Sequence, residues 1–244
     1  MYQAEQEQYA SLGRNYWWLG SKYDVIIDLV RRNLHRIGSS ELSLLDVGCG
    51  PGNIVDLLLP FGRTYGIDPS PDAVRIAAGR GFTELRVADV EHIPYPDAMF
   101  DIVTAIDIVE HVEDDLGALR EIRRVLKPGG ILFFSVPAYQ FLWGDNDDLF
   151  GHKRRYTRSE IRTKLKQSGF MCQQVSYLQP LFVLPLFLLR KIKKALGKRT
   201  HDFVRPPHVV NSMLYQLLAA EKYVLRLGDI PFGATIVGVA TQSV

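Results

Sequence analysis

The chain has 244 residues, 47% of them apolar, and a formal net charge of +2. Such a length suits one large domain, or one domain with an appendage, around a substantial core. The near-zero charge argues against a general nucleic-acid binder, and two cysteines far apart, Cys49 and Cys172, argue against a disulfide framework and fit a reducing cytoplasm.

The polar start, MYQAEQEQYA, shows no secretory signal, and no apolar run reaches the roughly 18 residues of a spanning helix. Residues 1–41 read as a helical cap carrying Trp17 and Trp18. Adjacent indoles cannot share one helical face, so one is expected on the core and the other over a ligand. From residue 42 to 136, short apolar runs alternate with helix-like stretches. SLLDVG (43–48) is a buried strand, and NIVDLLL (53–59) is a helix stopped by Pro60. TYGID (64–68) is a second strand. Ser70 caps the next helix, with Pro71 at its first position and Gly81 past its end. LRVADV (85–90) is a third strand and FDIVTAID (100–107) a fourth. LGALREIRRVL (116–126) is an amphipathic helix stopped at Lys127-Pro128-Gly129-Gly130, and ILFFSV (131–136) is a fifth strand. Strand and helix in alternation mean parallel strands with crossover helices, hence an open α/β sheet covered on both faces.

Beyond Pro137 the rhythm breaks. Residues 139–158 form a long polar and aromatic loop, of the kind that is usually functional. Thr157 and Glu160 make a capping box for the helix Ser159 to Ser168. FMCQQVSY (170–177) is a sixth strand, Asn211 to Leu227 a helix, and ATIVGVAT (234–241) the last strand.

The glycines of DVGCGPGN (46–53) lie between the first strand and the first helix, where open sheets bind ligands. A phosphate loop would need Gly-Lys-Ser or Gly-Lys-Thr, and a dinucleotide fingerprint would need glycine where Asn53 stands. An adenosyl ligand without phosphates is left. Here the sequence resembles the class I S-adenosylmethionine-dependent methyltransferases, through Asp46-Val47-Gly48-Cys49-Gly50-Pro51-Gly52, GIDPS ending the second strand, ADV at 88–90 and LKPGG at 126–130. The resemblance implies a seven-stranded Rossmann-like sheet, six strands parallel and the last antiparallel, formed by residues 42–177 and 208–244. It implies S-adenosyl-L-methionine as cofactor. Asp68, with Pro69, would hold the ribose; Asp89, with Val90, would face the adenine. Gly48, Cys49 and Gly50 would underlie the methionine part, Asp46 would support its cationic end, and Asp107 would sit near the methyl group.

Methyl transfer needs alignment and a dry site, and a base only when the acceptor loses a proton. Asp107, Glu110 and His111 make an acid-x-x-Glu-His pattern similar to a metal-binding pattern of quinone methyltransferases, although Glu-His also recurs as a structural turn; the expectation is no metal, with His111 a candidate base. In GHKRRYTRSE (151–160), similar to an H-x-RRYT segment of some bacterial methyltransferases, His152 and Tyr156 are further catalytic candidates, beside arginines for an anionic group. The competing reading is a salt network between DNDD (145–148) and KRR (153–155) that orders the loop.

Residues 178–207 form an apolar insertion before the last helix, in which Pro180 and Pro185 break regular helix and a basic cluster follows, from Arg190 to Arg199. Such a segment suits an anionic membrane surface or a lid over a greasy acceptor, and equally a buried insertion. The reading is a cytoplasmic methyltransferase, peripheral on the inner membrane, acting on oxygen or nitrogen of a small-molecule or lipid-linked acceptor; the alternatives are a non-catalytic cofactor-binding module and an RNA methyltransferase.

Overall fold

The computed structural model describes residues 13–38, 41–197 and 206–242. The polar start and the basic residues Lys198 and Arg199 therefore lie outside the described residues. Seven strands make one sheet: β1 (Leu42–Val47), β2 (Gly62–Asp68), β3 (Glu84–Val87), β4 (Phe100–Ile106), β5 (Leu126–Pro137), β6 (Phe170–Leu178) and β7 (Thr235–Gln242). Their order is β3-β2-β1-β4-β5-β7-β6, with β7 antiparallel to both of its neighbours and the other strands parallel. The expected sheet is thus the observed one. The order reverses at β1, whose Val47 pairs with Ile67 on one side and Ala105 on the other. The tips of β1, β2 and β4 therefore converge on one crevice, the position at which such sheets hold ligands.

Central strands are buried on both faces, which is why β4 and β5 read as unbroken apolar runs. Their side chains join those of the first helix, α1 (Trp17–Asn33), in one core. The remaining helices among the described residues are α2 (Val55–Leu58), α3 (Pro71–Ala77), α4 (Asp115–Val125), α5 (Asp145–Phe150), α6 (Arg158–Gln167), α7 (Val183–Ala195), α8 (His208–Ala219) and α9 (Glu221–Leu227).

Several local expectations are corrected. The helix expected over 53–59 is one turn, α2, followed by a tighter turn at Leu59–Phe61 that contains Pro60. β3 is shorter than expected and ends at Val87. The loop 139–158 contains α5, whose acidic first turn complements the helix N-terminus and whose Asp147 accepts from the Gly144 amide at 2.8 Å. Pro185 does not break the insertion. It sits in the first turn of α7, where the amide it lacks has no intrahelical partner. The helix expected over 211–227 starts at His208 and breaks at Ala220, where the buried Glu221 carboxylate turns inward to accept from the Gln179 amide at 2.8 Å.

α1 packs beside α8, and polar contacts fix the pair. Asn211 accepts from the Trp17 amide at 3.1 Å and donates to Asn15 O at 2.8 Å, while the Tyr215 hydroxyl donates to Asp24 at 2.8 Å. This seats α1 across the carboxyl ends of the strands.

Candidate active site

A cavity of about 580 Å³ opens at the converging strand tips. Its floor is the turn Gly48–Gly50. Gly48 has φ +68°, and a Cβ there would strike the Ile108 side chain at 1.9 Å. Gly50 has φ +52°, and a Cβ there would meet no protein atom within 4 Å, so the space above it is open to a ligand. Asp68 stands beside this turn and accepts from the Gly50 amide at 2.8 Å and the Ser70 amide at 2.9 Å. Each oxygen keeps a lone pair for a further donor. Burial raises its pKa against those two hydrogen bonds. Asp46, also on the wall, accepts from the Thr104 hydroxyl at 2.7 Å, and burial lifts its pKa to about 7. Cys49 is buried at the same turn, and burial raises its thiol pKa.

α1 supplies the roof with Trp17, Trp18, Lys22 and Tyr23. Phe182 meets both indoles, its ring centroid 5.0 Å from Trp17 and 5.7 Å from Trp18. Both tryptophans therefore line the cavity, Trp17 buried and Trp18 half-buried. Lys22 is 2% exposed and forms an ion pair with Asp107. Asp107 follows β4 with φ +55°, and it also accepts from the Ser135 hydroxyl at 2.6 Å. Burial pushes the Asp107 carboxyl up, but Lys22 and the two hydrogen bonds outweigh burial and hold it below its ordinary value.

The third wall carries Glu110, His111, Asp147, His152 and Arg155. Asp147 is fully buried and organises this wall. It accepts from the Arg155 Nε at 2.8 Å, lies 3.5 Å from the Arg190 guanidinium, and binds His152 Nδ1 at 2.8 Å. Burial raises the Asp147 pKa, yet these partners together hold it below the usual carboxylate range. An ionised carboxylate only accepts, so Nδ1 of His152 carries the proton in this pair, and Nε2 is the ring nitrogen outside it. The His111 ring stands perpendicular to His152 with centroids 4.7 Å apart. Burial, then the charge of His152, lower its pKa to about 4, so His111 is neutral near pH 7. Glu110 is wholly buried, and neither of its carboxylate oxygens has a side-chain hydrogen-bond partner among the described residues. Burial, reinforced by Asp107, raises its pKa well above normal.

The sequence-derived candidates divide. Asp46, Gly48, Cys49, Gly50, Asp68, Asp107, His111 and His152 all line the one cavity. Pro69, Asp89 and Val90 are not among its lining residues. Asp89 instead accepts from the Glu91 amide at 3.0 Å, and Val90 is a core residue. Tyr156 is not among the residues lining the cavity. Its hydroxyl donates to Asp115 at 2.9 Å, away from the cavity, inside a cluster with Arg154 and Lys164. Of the network expected between DNDD and KRR, the structure forms the Arg155–Asp147 pair, whereas Arg154 pairs with Asp115 and Lys153 with Glu113, both outside DNDD. His152 serves both readings, because the network holds it and the cavity receives it. Lys22 and Asp147 were not singled out from the sequence. Lys22 had a signal: it is a charge inside the buried stripe Leu19, Lys22, Ile26, Leu29.

Residues 45–134 match a family model described as a methyltransferase domain. With this domain and this sheet order, the chain has the class I S-adenosylmethionine-dependent methyltransferase fold. The chain is 33% identical over 150 residues to a ubiquinone biosynthesis O-methyltransferase of Xanthomonas oryzae, covering 55% of this chain and 61% of the relative. It spans between 41% and 61% of the length of the first curated relatives it matches. Its fold superposes on the [4+2]-cyclase SpnF with a TM-score of 0.58 at 22% identity, covering 91% of this chain and 82% of that one. It also superposes on phosphoethanolamine N-methyltransferase 2 of Haemonchus contortus bound to S-adenosyl-L-methionine, with a TM-score of 0.56 at 18% identity, covering 89% of this chain and 52% of the other. A cyclase among these neighbours shows that the methyltransferase fold does not by itself settle the reaction. No helix among the described residues is long and apolar enough to cross a membrane.

Proposed function

We propose that this methyltransferase moves a methyl group from S-adenosylmethionine to an oxygen of an apolar acceptor, a small molecule or a lipid-linked one, with His152 as general base. The observation that carries the reading is the Asp147–His152 pair at 2.8 Å on the cavity wall. A base is needed when the acceptor is a hydroxyl, and with Asp147 holding Nδ1 the neutral ring of His152 would take that proton at Nε2.

The cofactor supplies an electrophilic methyl group on a positively charged sulfur. The turn Gly48–Gly50 admits it, and the free lone pairs of Asp68 take the ribose hydroxyls, where a charged acceptor binds more strongly than an amide. Asp46 and Asp107 place negative charge along the cationic half, and Lys22 keeps Asp107 in position. Trp17, Trp18 and Phe182 exclude water from the reacting atoms. With the cofactor bound, its sulfonium would supply the methyl group to the acceptor oxygen and become a neutral sulfide, and Nε2 of His152 would take the proton that the hydroxyl gives up. The apolar lining contributed by Phe182, Leu186, Leu189 and Leu214 favours a greasy acceptor. A lipid-linked acceptor is drawn from a bilayer, so a peripheral position on the inner membrane belongs to this reading. The O-methyltransferase name of the Xanthomonas relative supports the choice of oxygen.

His152→Ala tests the assignment. It is expected to lower kcat about 100-fold or more while S-adenosylmethionine affinity stays within about twofold. An equal loss of both would make His152 a structural residue.

One observation favours a second reading. Ligand atoms of Glu110, His111 and His152 lie within 4.8 Å of one another, a set that suits a divalent cation. A bound cation would acidify the acceptor hydroxyl in place of a base. Dialysis against EDTA separates the two: unchanged turnover supports the base, and a loss restored by Mg²⁺ or Mn²⁺ supports the cation.

A further inference from the structure

Two helices flank the apolar part of the cavity, and both present a second apolar face to solvent. Along α7, Leu184, Leu188 and Ile192 follow at intervals of four and form one line. Along α8, Val209, Met213 and Leu217 do the same. These six side chains are between 49% and 68% exposed. Other side chains of the same helices, Leu186 and Leu214, line the cavity. Isolated exposed leucines are ordinary, but two apolar stripes on helices that line one cavity mark an interaction surface.

Charge decides the occupant. Neither α7 nor α8 contains an aspartate or glutamate. Lys191 and Lys194 are exposed on the flank of the α7 stripe. A second copy of the chain would set these cations against identical cations, with no acid on either helix to meet them. A nucleic acid would leave the apolar stripes unmatched. An anionic bilayer satisfies both features, with leucine stripes among the acyl chains and lysines at the headgroups.

We propose that the outward faces of α7 and α8 form an interfacial surface that rests on an anionic phospholipid bilayer, placing the apolar side of the cavity against the membrane. The benefit for the acceptor rests on the function proposed above; the docking itself does not. A lipid-linked acceptor would then pass between α7 and α8 without crossing water.

Co-sedimentation of the full chain with phosphatidylcholine vesicles, with and without phosphatidylglycerol, tests this. Binding is expected only with phosphatidylglycerol, and it weakens as salt rises. Lys191→Gln with Lys194→Gln should weaken binding about 30-fold, from roughly fivefold per lysine near the surface. Leu188→Glu with Ile192→Glu should abolish it. None of these four residues lines the cavity, so S-adenosylmethionine affinity by calorimetry should be unchanged in both variants and serves as the control for folding. The proposal is overturned if the parent ignores phosphatidylglycerol vesicles, if both variants bind them as the parent does, or if Leu188→Glu disperses a solution dimer instead. Vesicle binding without methyl transfer to any lipid acceptor would sink the proposed function and leave the docking surface standing.

Discussion

Replacing Lys22 by Met asks whether the roof helix is tied to the site by charge. Lys22 is 2% exposed, its partner Asp107 is 28% exposed, and the two form an ion pair. Removing one member of a buried pair typically costs about 3–5 kcal/mol, because the other charge is left behind. Asp107 keeps the Ser135 hydroxyl at 2.6 Å and some access to water, so about 3 kcal/mol is the expected loss at pH 7. For a chain of this size that lowers Tm by about 6–12 °C. The pH dependence gives a sharper test. With Lys22 present, Asp107 is held below its ordinary pKa, so its stabilising contribution is full at neutral pH and is lost only as pH falls through that depressed value. Without Lys22, burial dominates and the folded-state pKa rises above the unfolded one. The penalty then shrinks as pH falls from 7 towards 5, because the folded state takes up the proton first. Urea titrations of parent and variant at pH 7 and pH 5.5 should show the stability difference between them shrinking at the lower pH. Adding Asp107→Asn should recover part of the loss. A destabilisation below about 1 kcal/mol, equal at both pH values, would refute a buried ionic tie.

Asp68→Ala is expected to weaken S-adenosylmethionine binding at least about 30-fold, since two hydrogen bonds to a charged acceptor disappear; calorimetry reads it directly. Tyr156→Phe should cost roughly 1 kcal/mol of stability through the lost bond to Asp115, with kcat unchanged, as thermal melts and turnover would show. Glu110→Gln should stabilise the protein at neutral pH. The raised pKa of Glu110 means the folded state holds a proton that the unfolded state gives up above its ordinary pKa, so stability falls as pH rises, and the amide removes that slope. Melts at pH 5 and pH 7 would show the gain growing with pH.

The sheet was legible because its strands are buried on both faces and its turns carry glycine, so pattern and fold agree at each level. The glycine turn, Asp46, Asp68 and Asp107 were legible because each stands at a strand tip. Other parts were not, for physical reasons. Pro185 reads as a breaker unless the helix starts just before it. Tyr156 follows His152 closely in sequence, but in extended backbone neighbours alternate sides. Arg154 and Tyr156 turn to Asp115, while Arg155 turns to Asp147. Asp147 is one of three aspartates in DNDD, and only burial singles it out. Lys22 meets Asp107 across 85 positions of sequence, a pairing that no local pattern announces.

Transfer of label from methyl-labelled S-adenosylmethionine into an apolar extract of bacterial membranes addresses the central claim most directly. The account predicts labelled product with the parent chain, and a loss of about 100-fold or more with His152→Ala at full cofactor occupancy. Bound cofactor with no labelled product from the parent, or equal labelling by His152→Ala, would contradict it.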